Sequence, residues 1–127
     1  MAYLWVAIGG ALGSVGRYGC SGLALRWFGL GFPYGTLFVN VAGSFVIGVL
    51  GTLALDGERS LSTTDVRAFL IVGILGGFTT FSSFSFETLN LARTGNLSGA
   101  AMNVVLSLVL CLGAVWLGYA SAAAFTR

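Results

Sequence analysis

Four long apolar stretches, almost free of charge, constrain this chain more than any other feature of its sequence. Residues 28–55, 68–86 and 94–126 contain no Asp, Glu, Lys or Arg, and residues 3–25 contain only Arg17. Because a bilayer core of about 30 Å needs roughly 20 apolar residues per helix, these stretches predict membrane-spanning helices. We therefore expect an all-α integral membrane protein with four transmembrane helices at about 3–25, 34–55, 67–90 and 97–123, in a single transmembrane domain over residues 1–127.

The scarcity of charge excludes several classes of protein. Charged residues are 8% of the 127, against about 25% in a soluble domain, so the surface must face membrane lipid. The net charge is only +2, with no charge run that would predict binding to nucleic acid. Histidine is absent and the four carboxylates are dispersed, which argues against an enzyme. Cys20 and Cys111 lie far apart in apolar stretches, and we interpret them as packing residues.

The links between the stretches are short. Glycines around Pro33 indicate a turn before the second span, and residues 93–96 form a brief third link. The most polar link, residues 56–65, contains Ser62, Thr63 and Thr64, any of which can cap the third helix. These links leave no room for a soluble domain or a catalytic loop.

The twenty glycines favour close approach of helices, since small residues let helix backbones meet in membranes. Gly9, Gly13 and Gly16 fall on one stripe of the first helix. Ser44 and Gly48 form a pair of small residues one turn apart in the second span. Both faces are predicted to pack against neighbouring helices.

Arginine gives no clear orientation in the membrane. With four spans both termini share one side, and the counts on the two sides are nearly equal: Arg59, Arg67 and Arg127 against Arg26, Arg93 and, if its side chain reaches outward, Arg17. The positive-inside rule therefore has little to act on. A chain with so little bias can insert both ways up, and two opposed copies can then pair about an axis in the membrane plane.

Two polar residues lie inside the first two spans, where polar groups are expensive and are candidates for function. Arg17 is either an anchor at the membrane interface or a functional charge. Asn40 either holds helices together by hydrogen bonds or offers a neutral NH₂ donor that solvates an anion without trapping it.

The string GGFTTFSSFSFE, residues 76–87, is the most informative stretch. Gly76 and Gly77 followed by five hydroxyl residues favour a broken third helix, with the break at the glycine pair. Broken backbone at membrane depth lines a cavity or is buried in protein, and its free carbonyls can coordinate a cation. Phe78, Phe81 and Phe84 recur every three residues, and they either pack in the core or turn their electropositive ring edges towards an anion.

These motifs resemble one family. GxxxR in the first span, GTLxVN in the second, GGxTTFSxFSxE in the third and a fourth span rich in small residues resemble the Fluc, or CrcB, fluoride channels over essentially the whole chain. The resemblance implies an antiparallel, dual-topology homodimer with two fluoride pores and a structural sodium ion at its centre. It also implies passive fluoride efflux, which lowers cytoplasmic fluoride, across a bacterial plasma or inner membrane.

The resemblance assigns roles residue by residue. Asn40, Phe81 and Phe84 match the pore Asn and the pore phenylalanines, and Gly76 and Thr79 match the residues whose backbone carbonyls hold sodium. Four more residues match polar pore-lining positions: Thr36, Ser82, Ser83 and Ser107. Arg17 and Glu87 match charged positions near the pore mouths. Ser83 stands where the family commonly has Thr, and Cys111 where some members have a second fourth-span Ser.

Two other functions fit part of the pattern. A small four-helix multidrug transporter has a carboxylate inside its first span, whereas this first span has Arg17 and no carboxylate. A non-transporting membrane subunit would explain the glycines and the spans. It would not explain the broken, hydroxyl-rich third helix.

Overall fold

The long helices of the protein follow the apolar stretches of its sequence. The computed structural model describes residues 1–55 and 63–126, and within these ranges it contains helices and short links but no strand. Helix α1 runs over Ala2–Phe28, α2 over Tyr34–Leu55 and α6 over Leu97–Thr126. Ser62, Arg59 and Arg127, which entered the capping and orientation arguments, lie outside the described residues.

The third span, Thr64–Arg93, is built from several helical segments. Helix α3 covers Thr64–Arg67, and a π-helical segment covers Ala68–Leu75. Helix α4 covers Gly76–Phe78, and α5 covers Phe81–Arg93. The Thr63 hydroxyl caps the start of the span by accepting from the Val66 N–H at 3.4 Å. That position confirms Thr63 as one of the three proposed caps.

The third helix is broken, but two residues later than expected. Gly76 keeps helical angles, φ −62° and ψ −36°. Thr79, with φ −83° and ψ 155°, and Thr80, with φ −154° and ψ 117°, are extended. Threonine side chains explain the shift, because they hydrogen-bond to nearby backbone and compete with the helix. Thr79 Oγ1 donates to the Leu75 carbonyl at 2.8 Å, and Thr80 Oγ1 accepts from the Ser83 N–H at 3.2 Å.

Glycines bring α1 directly against the first half of the third span. A Cβ atom added to Gly9 would collide with the Phe69 carbonyl, and one added to Gly13 would collide with the Ile74 carbonyl. On the opposite side of the contact, a Cβ atom on Gly77 would lie 2.5 Å from the Gly10 carbonyl oxygen. The predicted packing of Gly9 and Gly13 is confirmed, and only glycine fits at these points of contact.

Helices α2 and α6 meet in the same way. A Cβ atom on Gly48 would collide with the Val115 carbonyl, and one on Gly118 would collide with the Phe45 carbonyl. The predicted packing role of Gly48 is therefore confirmed, whereas Ser44 lies beside a groove described below. The buried core includes Val39 of α2, which is 0% exposed.

Within the part of the chain that the structure describes, three helices are long and apolar enough to cross a membrane: Tyr34–Ala54, Thr64–Arg93 and Leu97–Thr126. Helix α1 is not among them, although its 27 residues reach about 40 Å at the helical rise. Arg17 and the glycines lower its hydropathy. Its outer face is nevertheless apolar, with Leu12 56% and Val15 72% exposed.

Candidate functional site

A groove of about 390 Å³ opens where the break in the third span faces α2 and α6. We call it the break groove. It brings together six of the candidate site residues predicted from the sequence: Asn40, Gly76, Thr79, Phe81, Phe84 and Ser107. Thr80, Ser44 and Cys111 also line it, and all of its lining residues are uncharged.

Asn40 pairs with the broken backbone itself. Its Nδ2 donates to the Thr80 carbonyl at 3.0 Å, and its Oδ1 accepts from the Thr80 N–H at 2.7 Å. One side chain thus satisfies both backbone groups of an extended residue, groups that would be costly to leave unpaired in an apolar environment. Because a primary amide carries two donor hydrogens, Asn40 keeps one for another acceptor. Both sequence interpretations of Asn40, helix contact and neutral donor, are compatible with this geometry.

A small hydroxyl cluster follows the break. Thr80 Oγ1 donates to Ser83 Oγ at 3.2 Å and lies 3.2 Å from Ser82 Oγ. Ser82 is exposed and Ser83 half-buried, and neither belongs to the lining of the break groove. Thr80 caps α5 and is the member of the cluster that lines the groove.

The phenylalanines are divided by the break. The rings of Phe81 and Phe84 lie with their centroids 5.3 Å apart and their planes at 50°, both beside the groove. Phe81 is 77% exposed in the single chain. Phe78 precedes the break, and its ring lies near Gly16 and Gly43 between α1 and α2. The regular three-residue spacing therefore does not bring all three rings together, because the extended Thr79 and Thr80 interrupt the helix between Phe78 and Phe81.

A second cavity, of about 480 Å³, lies between the α1–α2 link, the start of α2 and the second half of α5. Here the Thr36 hydroxyl donates to Glu87 Oε1 at 2.8 Å, which joins two of the sequence-predicted residues. Glu87 Oε2 is buried and has no hydrogen-bond partner among the described residues. Arg17 is half-buried on α1 and lines neither this cavity nor the break groove.

The sequence profile of the family described as CrcB-like protein, Camphor Resistance (CrcB), matches residues 4–119. This chain belongs to the CrcB-like family. Similar proteins named fluoride-specific ion channel FluC cover nearly its full length. One from Opitutus terrae is 58% identical over 94% of this chain and 91% of the relative. One from Rhodospirillum rubrum is 53% identical over 96% of this chain and 95% of the relative. One from Thermus thermophilus is 51% identical over 92% of this chain and 91% of the relative.

Two features of this CrcB-like chain escaped the sequence analysis. Thr80 was counted among the hydroxyls of the third span, yet nothing in the sequence pairs it with Asn40. Asn103 of α6 is only 2% exposed and donates to Thr88 Oγ1 at 2.9 Å. The signal for Asn103 was available, since it is a polar residue inside the uncharged stretch 94–126.

Proposed function

We propose that this CrcB-like chain forms a fluoride-selective channel that lets fluoride leave the cell passively. The observation that carries the proposal is the break groove, where Asn40, Phe81 and Phe84 converge without a charged side chain. The names of the related proteins support the same function.

The groove offers what fluoride requires. A pore must replace the water around this small anion with donors, yet bind it weakly enough to release it. The free amide hydrogen of Asn40, the neighbouring hydroxyls and the electropositive ring edges are neutral donors of this kind. A fixed Arg in the groove would hold the anion too strongly. Hydrogen fluoride that enters a cell dissociates in the more alkaline cytoplasm, and the channel releases the trapped anion.

The second cavity is proposed as the mouth of the pore. Thr36 and Glu87 lie together there, and Ser21 and Asn90 add further polar groups to its lining. Ser107 extends the polar lining along α6 inside the break groove. Arg17 is proposed to attract anions towards the entrance from α1.

The working unit is proposed to be an antiparallel homodimer. Helix α5 has no buried residue in the described single chain. Phe81, beside the groove, is 77% exposed, and Phe86, on the same helix, is 63% exposed. A second copy would cover such a face, and the balanced arginines allow both orientations. Added Lys residues at one terminus should fix one orientation and remove transport, and an oppositely biased copy should restore it. Transport by one uniformly oriented population would contradict the antiparallel dimer.

A structural sodium ion is proposed at the dimer centre, held by the Gly76 and Thr79 carbonyls. In a continuous helix these carbonyls would accept from the N–H groups of Thr80 and Ser83. Those groups donate instead to Asn40 Oδ1 at 2.7 Å and to Thr80 Oγ1 at 3.2 Å. The released carbonyls are hard oxygen ligands, and a two-fold partner would supply the same pair again. Replacing sodium with a bulky cation throughout purification should weaken the dimer, and an indifferent dimer would contradict the site.

Fluoride efflux from proteoliposomes tests the proposed function. Vesicles loaded with fluoride and containing the purified protein should empty when a potassium ionophore balances the charge, as followed with a fluoride electrode. Vesicles without protein supply the background. Efflux no faster than this background, from protein shown to be folded and dimeric, would contradict the channel function.

A further inference from the structure

The most deeply buried polar side chain among the described residues lies outside the break groove. Asn103 of α6 is 2% exposed and stands with Val39 as one of the largest fully buried side chains in the described chain. Burying an amide costs free energy unless it is hydrogen-bonded, and its Nδ2 donates to Thr88 Oγ1 at 2.9 Å. An apolar residue would pack at this position without that cost. The hydrogen bond to α5 is therefore the feature that needs an explanation.

The bond continues into the backbone beside a pore phenylalanine. Thr88 Oγ1 donates its single hydrogen to the Phe84 carbonyl at 2.7 Å, so towards Asn103 it acts as an acceptor. The result is a directed chain of hydrogen bonds from Asn103 through Thr88 to Phe84. It joins α6 to the turn of α5 that carries the Phe84 ring.

Helix α5 contacts α2 and α6 in the single chain, and side-chain hydrogen bonds add to these contacts. It has no buried residue among those described, and polar side chains connect it to its neighbours at three levels. Asn40 pairs with Thr80 before its first turn, and Thr36 donates to Glu87 near its middle. Both of those bonds come from α2. Asn103 supplies the side-chain hydrogen bond from α6, and a helix held from one side alone could still turn about its axis.

We propose that Asn103 is a positioning residue for Phe84, acting through Thr88 to fix the rotation of α5 and hold the ring at the break groove. Asn103 itself lies outside the lining of that groove, so its effect on an ion passes through the ring. The selectivity part of the proposal rests on the proposed fluoride channel. The structural part, the placement of the ring, does not.

The first test observes the ring directly. 4-Fluorophenylalanine is introduced at position 84, and the ¹⁹F NMR spectrum of the full-length protein in lipid nanodiscs is recorded for Thr88→Val, Asn103→Leu and Thr88→Ser. We expect a shifted, broadened or doubled signal in the first two variants and the original signal in Thr88→Ser, which keeps the hydroxyl. Thr52→Val is the matched control, because Thr52 Oγ1 donates to the Gly48 carbonyl of its own helix at 2.7 Å, as Thr88 does to Phe84.

The second test measures the consequence for transport. Thr88→Val and Asn103→Leu should each lower the ratio of fluoride to chloride flux by roughly three- to tenfold, the range set by the net contribution of one hydrogen bond. The double variant should be no worse than the more affected single variant, because both remove the same chain of bonds. Thr88→Ser should restore the ratio.

The outcomes separate the two proposals. An unchanged ¹⁹F signal in Thr88→Val, or independent and additive effects of the two substitutions, would overturn the positioning role. A changed signal without fluoride transport by the wild-type protein would leave the positioning of the ring intact and overturn the channel function instead. Should Asn103→Leu fail to fold, Thr88→Val decides, since Thr88 is only partly buried.

Discussion

The two halves of the third span are held in place by different forces. Before the break, glycines let the backbones of α1 and the third span touch, as at Gly13 and Gly77. After the break, α5 has no buried residue in the described chain and is joined to its neighbours by hydrogen bonds from Thr36, Asn40 and Asn103. Backbone contact of the first kind leaves little freedom to move. The hydrogen bonds after the break can be removed one at a time by substitution. Each removal tests how the half that carries Phe81 and Phe84 is held in place.

Enlarging a glycine in the first half should have the largest effect. In Gly13→Ala the new methyl group collides with the Ile74 carbonyl, a backbone atom that can move only with its helix, so we expect little folded protein. Gly22→Ala on the same helix is the control, because nothing lies within 4 Å of the added Cβ atom. Size-exclusion chromatography in detergent measures the folded yield. A normal yield of Gly13→Ala would show that the contact between α1 and the third span is looser than described.

Changing Asn40 should stop transport and leave most of the protein folded. Asn40→Ala leaves the Thr80 N–H and carbonyl without their partner, at a cost of about 1–3 kcal/mol. Asn40→Asp keeps the acceptor for the Thr80 N–H but places a second acceptor against the Thr80 carbonyl and adds negative charge. Fluoride efflux and thermal unfolding are measured together. Normal fluoride efflux through Asn40→Asp would show that Asn40 neither lines the pore nor supports the break.

Removing the hydroxyl of Thr36 should have an intermediate effect. Thr36→Val takes away the donor to Glu87 Oε1, so a carboxyl group whose other oxygen already lacks a partner among the described residues loses its hydrogen bond. We expect fluoride efflux to fall roughly three- to tenfold, as for one hydrogen bond. Thr36→Ser keeps the hydroxyl and should transport normally. Equal efflux by both variants would show that the pair does not support the pore mouth.

The cap of the third span should matter least. Thr63→Ala removes the acceptor for the Val66 N–H, a bond of 3.4 Å at an exposed position. Loss of a helix cap costs about 0.5–2 kcal/mol, and this long, exposed bond belongs at the low end. We expect a small fall in melting temperature and unchanged fluoride efflux. A large loss of efflux would show that the start of the third span is coupled to the break groove.

Much of the first half of the span could be predicted from the sequence. Helix positions follow from the apolar stretches, and the packing of Gly9, Gly13 and Gly48 follows from the spacing of small residues. The position of the break could not be predicted with the same rule. Glycine has the lower helix propensity, but Gly77 lies against the backbone of α1. The threonine side chains instead hydrogen-bond to the backbone on each side of the break, at the Leu75 carbonyl and the Ser83 N–H.

The hydrogen bonds of the second half depend on contacts between distant residues. Asn40 was recognised as a polar residue at membrane depth, but its pairing with Thr80 joins residues 40 positions apart. Asn103 is likewise a polar residue at membrane depth, but nothing in the sequence pairs it with Thr88, 15 positions away. Such pairs become visible only when the helices are in place.

The proposed selectivity of the break groove for fluoride over chloride depends on a helix that hydrogen bonds hold in place. Proteoliposomes loaded with both anions test it most directly, with fluoride and chloride electrodes reading the same vesicles after a potassium ionophore is added. We predict that fluoride leaves rapidly while chloride stays close to the level of vesicles without protein. Equal rates for the two anions would show that the break groove is not a fluoride-selective pore.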